Sequence, residues 1–386
     1  MMPWRLRLRA VAVVLALVAS TGVPGPLAAL QAALPPVVPL RLDTVFHPDP
    51  ALELTSIRSI LLLPGGDLLL TDYGTAEVLH LDARGKRLDP LARAGSGPGE
   101  ARAVSGLGWR GDTLWAADPA LNRLSFYSRA LRFLRSEVVS ERCGPGGYTL
   151  LEDGRCLVFV NPPSLPGPLQ PGAWPIVLRG RGDRPGVWVE ETLATYRVER
   201  TQIKFNPRDG LSFYSQPFND QPLVPRSPAG RYVAVVAREA TPEPRTVTVT
   251  VRDLRTGATR RLAVPVQPRP LSARSVDSAL AVLIGQPHGP PWLRDSLVAK
   301  LYRPRFKAPV QGAALEDDGT LWLRLAVADG DSVAVYHRYD PSGALRQRVA
   351  VPLRVSVRGV DAGRVIGTSL DADEVPVLVR YLVPAR

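Results

Sequence analysis

The chain has 386 residues, 45% apolar and 22% charged, a globular composition rather than a disordered one. Only four of its 48 basic residues are lysines (Lys86, Lys204, Lys300, Lys307), and the arginine excess reads as GC-rich coding. With no run of five or six basic residues and no Arg/Lys-rich helix, the net charge of +12 is dispersed surface charge, which argues against a nucleic-acid partner. An anionic partner, if there is one, would be an acidic polymer or a membrane surface outside the cytoplasm.

Arg5, Arg7 and Arg9 precede an apolar run from Ala10 to Ala19, then the small and turn-forming residues Ser20, Gly22, Pro24 and Gly25. This is the pattern of a secretory leader, too short for a membrane span of about 20 residues. Cleavage is expected after Ser20 or Gly22, or later near Ala33, leaving 1–33 as leader and short linker. No cysteine follows the apolar run, so no lipid anchor is expected, and no other segment reads as a membrane span. The expected product is a periplasmic or extracellular monomer with one folded domain over 36–386.

Val38–Val45 alternates like a strand and is expected to close the fold beside Val375–Leu382. Between them, six short glycine turns each open an apolar run: Gly66-Asp67, Gly111-Asp112, Gly154-Arg155, Gly230-Arg231, Gly319-Thr320 and Gly363-Arg364. Gly66 and Gly111 are 45 residues apart, as are Leu79 and Leu124 in the strands that follow. Each unit reads as strand, tight turn, strand, loop, strand, turn and outer strand. Such a period marks a repeat architecture, here an all-β, six-bladed β-propeller with four-stranded antiparallel blades. Third strands are expected at Thr246–Asp253, Val333–Asp340 and Val375–Leu382. The sixth blade then lacks one strand, which the N-terminal segment supplies in velcro fashion, removing an exposed edge.

Gly95-Ser96-Gly97-Pro98-Gly99-Glu100, followed by Gly111, Leu114-Trp115, Asp118, Asn122-Arg123-Leu124 and Phe126, resembles the NHL-type repeat of six-bladed propellers. The likeness is partial in the first unit, where Glu77-Val78 replaces Arg-Ile, and weak in the later four. The overall layout also resembles exported bacterial six-bladed propellers. Gly95–Glu100 is no P-loop, since no Lys-Ser/Thr and no helix start follow it.

Cys143 and Cys156 are the only cysteines and flank a short hairpin pattern, so an exported chain should join them in a disulfide. Every long excursion falls on one face, that of the second-to-third loops and blade-to-blade connections: Asn161–Trp174, about 194–225, Arg238–Arg245 and about 267–308. The last should carry two short helices, Ala273–Leu283 and Trp292–Tyr302, between blades 4 and 5. Binding residues concentrate on loops held by a rigid scaffold. The loop-rich face is therefore expected to bind a cell-envelope or extracellular protein, peptide or glycan. Tyr73, Trp174, Phe213, Tyr214, Phe218, Trp292 and Tyr302 are its candidate contacts, each open to the alternative of being core. Trp109, Trp115 and Trp322 are assigned to packing between blades.

Chemistry is sparse. The four histidines are scattered, which does not match the metal-binding histidines of NHL-like lyases, and only four asparagines are available for a lactonase-like calcium site. Asp72 and Asp118 occupy equivalent blade positions, and Asp371, Asp373 and Glu374 cluster near the closing blade. These are the candidate ligands should a Ca2+ ion bind. They would serve the alternative function, a divalent-cation-assisted hydrolase or lyase with carboxylates in the central channel. The plainer readings are Asx-turns and a solvated acidic turn. No catalytic residue and no resident cofactor are assigned.

Overall fold

The computed structural model describes residues 34–46, 57–72, 75–144, 146–161, 172–184, 186–205, 212–240, 243–284, 291–371 and 375–384. The leader, Tyr73, Asp373 and Glu374 lie outside them, and so do the side chains of Phe213 and Trp292. Two N-terminal strands come first, β1 (Val37–Pro39) and β2 (Arg41–Phe46). Blade 1 holds β3 (Ile57–Leu62), β4 (Leu68–Asp72) and β5 (Val78–Leu81), and blade 2 holds β6 (Gly106–Arg110), β7 (Thr113–Asp118), β8 (Arg123–Tyr127) and β9 (Phe133–Val138). A short helix α1 (Val139–Cys143) leads to blade 3, with β10 (Thr149–Leu150), β11 (Cys156–Phe159), β12 (Ala173–Arg181) and β13 (Trp188–Arg197).

A hairpin of β14 (Gln202–Phe205) and β15 (Ser212–Ser215) precedes blade 4, which contains β16 (Tyr232–Ala237), β17 (Thr246–Asp253) and β18 (Thr259–Pro265). Helices α2 (Ala273–Ile284) and α3 (Pro291–Lys300) follow, within about one residue of their predicted starts. Blade 5 comprises β19 (Val310–Leu315), β20 (Leu321–Leu325), β21 (Val333–Tyr339) and β22 (Leu345–Pro352). Blade 6 comprises β23 (Ser356–Asp361), β24 (Arg364–Leu370) and β25 (Pro376–Leu382).

The molecule is a six-bladed β-propeller. All six turn glycines have φ between +59° and +92°, the left-handed region that glycine enters without a Cβ penalty. Alternation then divides each strand between two neighbours. In β4, Leu68 and Leu70 pack against blade 6 while Leu69 packs against blade 2; in β7, Trp115 faces blade 3 while Leu114 and Ala116 face blade 1. Strands buried on both sides therefore read as continuous apolar runs. Six apolar clusters result, one at each seam between adjacent blades, and together they close the ring. Trp115 and Trp322 are fully buried in two of them, and Trp109 packs on the seam between blades 1 and 2.

Closure differs in one respect from the expected single strand. Val38–Val45 is divided: β2 pairs antiparallel with β25 and completes blade 6, whereas β1 runs parallel along the outer edge of blade 5. Arg380 holds the seam, donating from Nε to Asp43 Oδ2 at 2.6 Å and stacking over the Phe46 ring. The blades also depart from strict four-strandedness. The outer strand of blade 1 is reduced to bridges at Arg87 and Ala92, and the inner strand of blade 4 to bridges at Leu223 and Arg226. Cys143 and Cys156 form the disulfide, with Cα atoms 5.4 Å apart, tying α1 to β11.

Candidate functional site

The two faces of the ring are built differently. On the tight-turn face, the blade 4 turn crosses the end of the channel. Trp109 N donates to Pro228 O (3.0 Å), Glu152 N to Gly230 O (3.1 Å) and Ala229 N to Asp317 Oδ1 (2.7 Å), linking blade 4 to blades 2, 3 and 5. Arg226 reinforces the crossing by donating from Nη2 to Leu107 O (2.6 Å) while lying over the Trp115 ring. Its burial lowers the guanidinium pKa to about 10.

On the loop-rich face, excursions distant in sequence join into one cap. Ile203 of the hairpin, Leu280 of α2, and Leu297 and Leu301 on and just beyond α3 form a small separate core, with Tyr214 and Phe218 packed against it. Gln216 locks it, donating to Lys300 O (2.9 Å) and accepting from Tyr302 N (2.9 Å). The Tyr302 hydroxyl donates to Asp220 Oδ2 (2.9 Å), and burial with that carboxylate beside it raises its pKa to about 12. The aromatics named as candidate contacts are thus largely engaged in holding the cap. Trp174 is half-buried on the seam between blades 3 and 4. Of the described candidates, Phe218 also lines a cavity.

That cavity, about 510 Å3, lies between the cap and blades 4 and 5. Its walls come from Phe218 and Asn219 before blade 4, Arg238 after β16, Arg274, Ser275 and Ser278 on α2, Lys307 and Gln311 entering blade 5, and Asp329 after β20. Asp329 is the hub. It accepts from Lys307 Nζ (2.6 Å), Ser275 Oγ (2.8 Å) and Ser272 Oγ, and these donors hold its carboxyl well below the usual range. Arg238 is 6% exposed, and its guanidinium donates only to neutral oxygens: Gln221 O (2.7 Å), Val310 O (3.2 Å) and Asn219 Oδ1 (2.7 Å). Burial lowers its pKa to about 10, opposed by the nearby charge of Asp220. The side chains of Arg274, Ser278 and Gln311 make no hydrogen bond or ion pair among the described residues.

The central channel holds a second cavity of about 290 Å3, whose charged lining is Arg58, Arg226, Arg358 and Asp361. Acidic convergence on the axis, which the cation-assisted alternative requires, is not what these residues supply. Among the described residues no three His, Cys, Asp or Glu side chains are placed to hold a metal ion. Asp118 is spent on backbone, accepting from Arg102 N (2.7 Å), Ala103 N (3.2 Å) and Leu121 N (3.1 Å), while Asp72 is buried at the end of β4. Asp371 closes its own turn through Val375 N (2.9 Å). The NHL-like residues of blade 2 are structural as well: Arg123 donates to Ser96 O (3.0 Å) and Glu100 O, pinning the glycine loop.

One set of residues escaped the sequence reading. In blades 1, 5 and 6 the innermost strand carries a β-bulge near its loop-rich end, and the residues skipped by the pairing are Arg58, Gln311 and Arg358. Bulges re-aim a side chain, and each of these three lines a cavity. Their signal is a repeated break in alternation: Ile57-Arg58-Ser59-Ile60, Val310-Gln311-Gly312-Ala313 and Val357-Arg358-Gly359-Val360.

No protein-family model and no curated protein matches the chain. Among solved structures it is similar to a Bacteroides fragilis protein assigned as exported (12% identity, 92% of this chain and 98% of that one, TM-score 0.44). It is also similar to a Bacteroides vulgatus member of the DUF4221 family (11% identity, 89% and 97%, TM-score 0.42) and to a streptogramin B lyase (12% identity, 90% and 88%, TM-score 0.34).

Proposed function

We propose that this chain is an exported, non-enzymatic binding propeller of the cell envelope or extracellular space, taking its ligand at the loop-rich face. The observation that carries this reading is the cavity under the cap: five separate parts of the sequence build it on a closed scaffold, and three of its polar side chains have no partner among the described residues. Large pockets with convergent polar groups are where ligands bind. Export rests on the leader sequence; no described helix is long and apolar enough to cross a membrane. The guanidinium-rich channel weighs against the cation-assisted hydrolase or lyase, because a divalent ion there would meet like charge.

The cap can be removed cleanly, since its two ends leave the ring paired: Leu271 N donates to Arg305 O (3.0 Å) and Lys307 N to Arg269 O (2.7 Å). Replacing residues 272–304 by Asn-Gly should leave a folded propeller. Arrays of envelope glycans and of peptides should retain the intact protein and not the excised one. Equal retention of both, or cation-dependent turnover of an arrayed compound, would overturn the reading.

A further inference from the structure

The ligand's chemistry can be narrowed, on the premise that the capped cavity is the binding site. Between positions 267 and 308 stand seven basic side chains and only two acidic ones, so the cap concentrates positive charge that is dispersed elsewhere. Inside the cavity, Arg238, Arg274 and Lys307 face a single carboxylate, Asp329, already neutralised by Lys307. Buried charges are ordinarily paired, and Arg238, bonded to neutral oxygens, has Asp220 nearby as counter-charge; Arg274 on the cavity wall makes no hydrogen bond or ion pair among the described residues. An incoming anion would complete what the protein leaves open.

The remaining lining discriminates among anions. Ser278 and Gln311 are free, Ser275 and Asn219 stand beside them, and Phe218 supplies one apolar ring. Hydroxyl, amide and aromatic groups on side chains suit the hydroxyls and apolar face of a sugar.

We infer that the cavity is a subsite for an acidic saccharide, with Arg274 reading its carboxylate and Ser278 and Gln311 its hydroxyls.

Calorimetry on the full folded protein with tri-galacturonate, maltotriose, tri-glutamate and inorganic phosphate tests this. Tri-galacturonate should bind at least tenfold more tightly than maltotriose, and Arg274→Glu should weaken it by about tenfold or more while Arg274→Lys recovers part of the loss. Arg274 is exposed and makes no structural bond, so both variants should keep the parent's melting temperature. Equal affinity for maltotriose would overturn the carboxylate assignment and leave the binding site standing. Preference for tri-glutamate or phosphate would overturn the sugar assignment. Failure of all four probes, with glycan and peptide arrays also blank, would remove the binding reading itself.

Discussion

The tight-turn face and the loop-rich face of this ring are made from opposite kinds of sequence. On the first, six glycines at positive φ set six short turns, and one turn spans the channel with its backbone tied to three other blades. On the second, a hairpin, two helices and irregular loops build a separate small core with a cavity beneath it. The first face tolerates almost no change in chain length or backbone. The second can be rebuilt as long as its ends meet. On the proposed function, stability and binding are allotted to different faces, and the contrast can be tested directly.

The largest effect is expected from a single methyl group on the tight face. At Gly230, with φ +70°, an added Cβ would lie 3.0 Å from Leu151 Cα and Glu152 N, both backbone. Gly230→Ala should cost about 3 kcal/mol, from the left-handed penalty plus displacement of the neighbouring blade, read by urea unfolding. Acid should come next. His337 is 5% exposed in blade 5, and burial, with the charge of Arg348, lowers its pKa to about 4. Between about pH 6.5 and 4 the unfolded chain binds a proton that the folded one refuses, so stability falls as pH falls, by up to about 3 kcal/mol. His337→Gln should flatten that slope. Asp317 and Asp361, whose pKa values burial raises, act in the opposite sense at the acid end. Over the same interval Asp329 stays ionised and Arg238 protonated.

A smaller loss, about 1 kcal/mol, is expected for Gly111→Ala: φ is +59°, but nothing lies within 4 Å of the added Cβ. Smallest of all should be the effect on ring stability of excising residues 272–304. The helical half of the cap removed for less than the cost of one methyl at Gly230 would sharpen the contrast, and a collapse of the propeller would break it.

The fold was largely legible because its determinants are local. The turn glycines, the two-sided apolar runs such as Leu68-Leu69-Leu70 and the 45-residue offset each follow from short-range backbone and burial demands. Both cap helices were legible for the same reason. The division of Val38–Val45 between two blades was not, because nothing in alternating residues says that a strand changes partner midway. The cavity was hidden for a related reason. Aromatic content pointed to Tyr214, Phe218 and Tyr302, whereas the cap uses them to hold itself together through contacts up to 86 residues apart. The bulged positions were written in the sequence as Ile-Arg-Ser-Ile and Val-Arg-Gly-Val, but a broken alternation carries meaning only once the partner strand's register is known.

The divided N-terminal segment bears on how the molecule must be made and handled. Asp43 and Arg380, 337 positions apart, meet only when the last strand exists, so β2 stays unpaired until synthesis of the chain has passed β25. Such long-range pairing is slow to find. Any tag or fusion placed just upstream of Val37 would load the joint where blades 5 and 6 are stitched together.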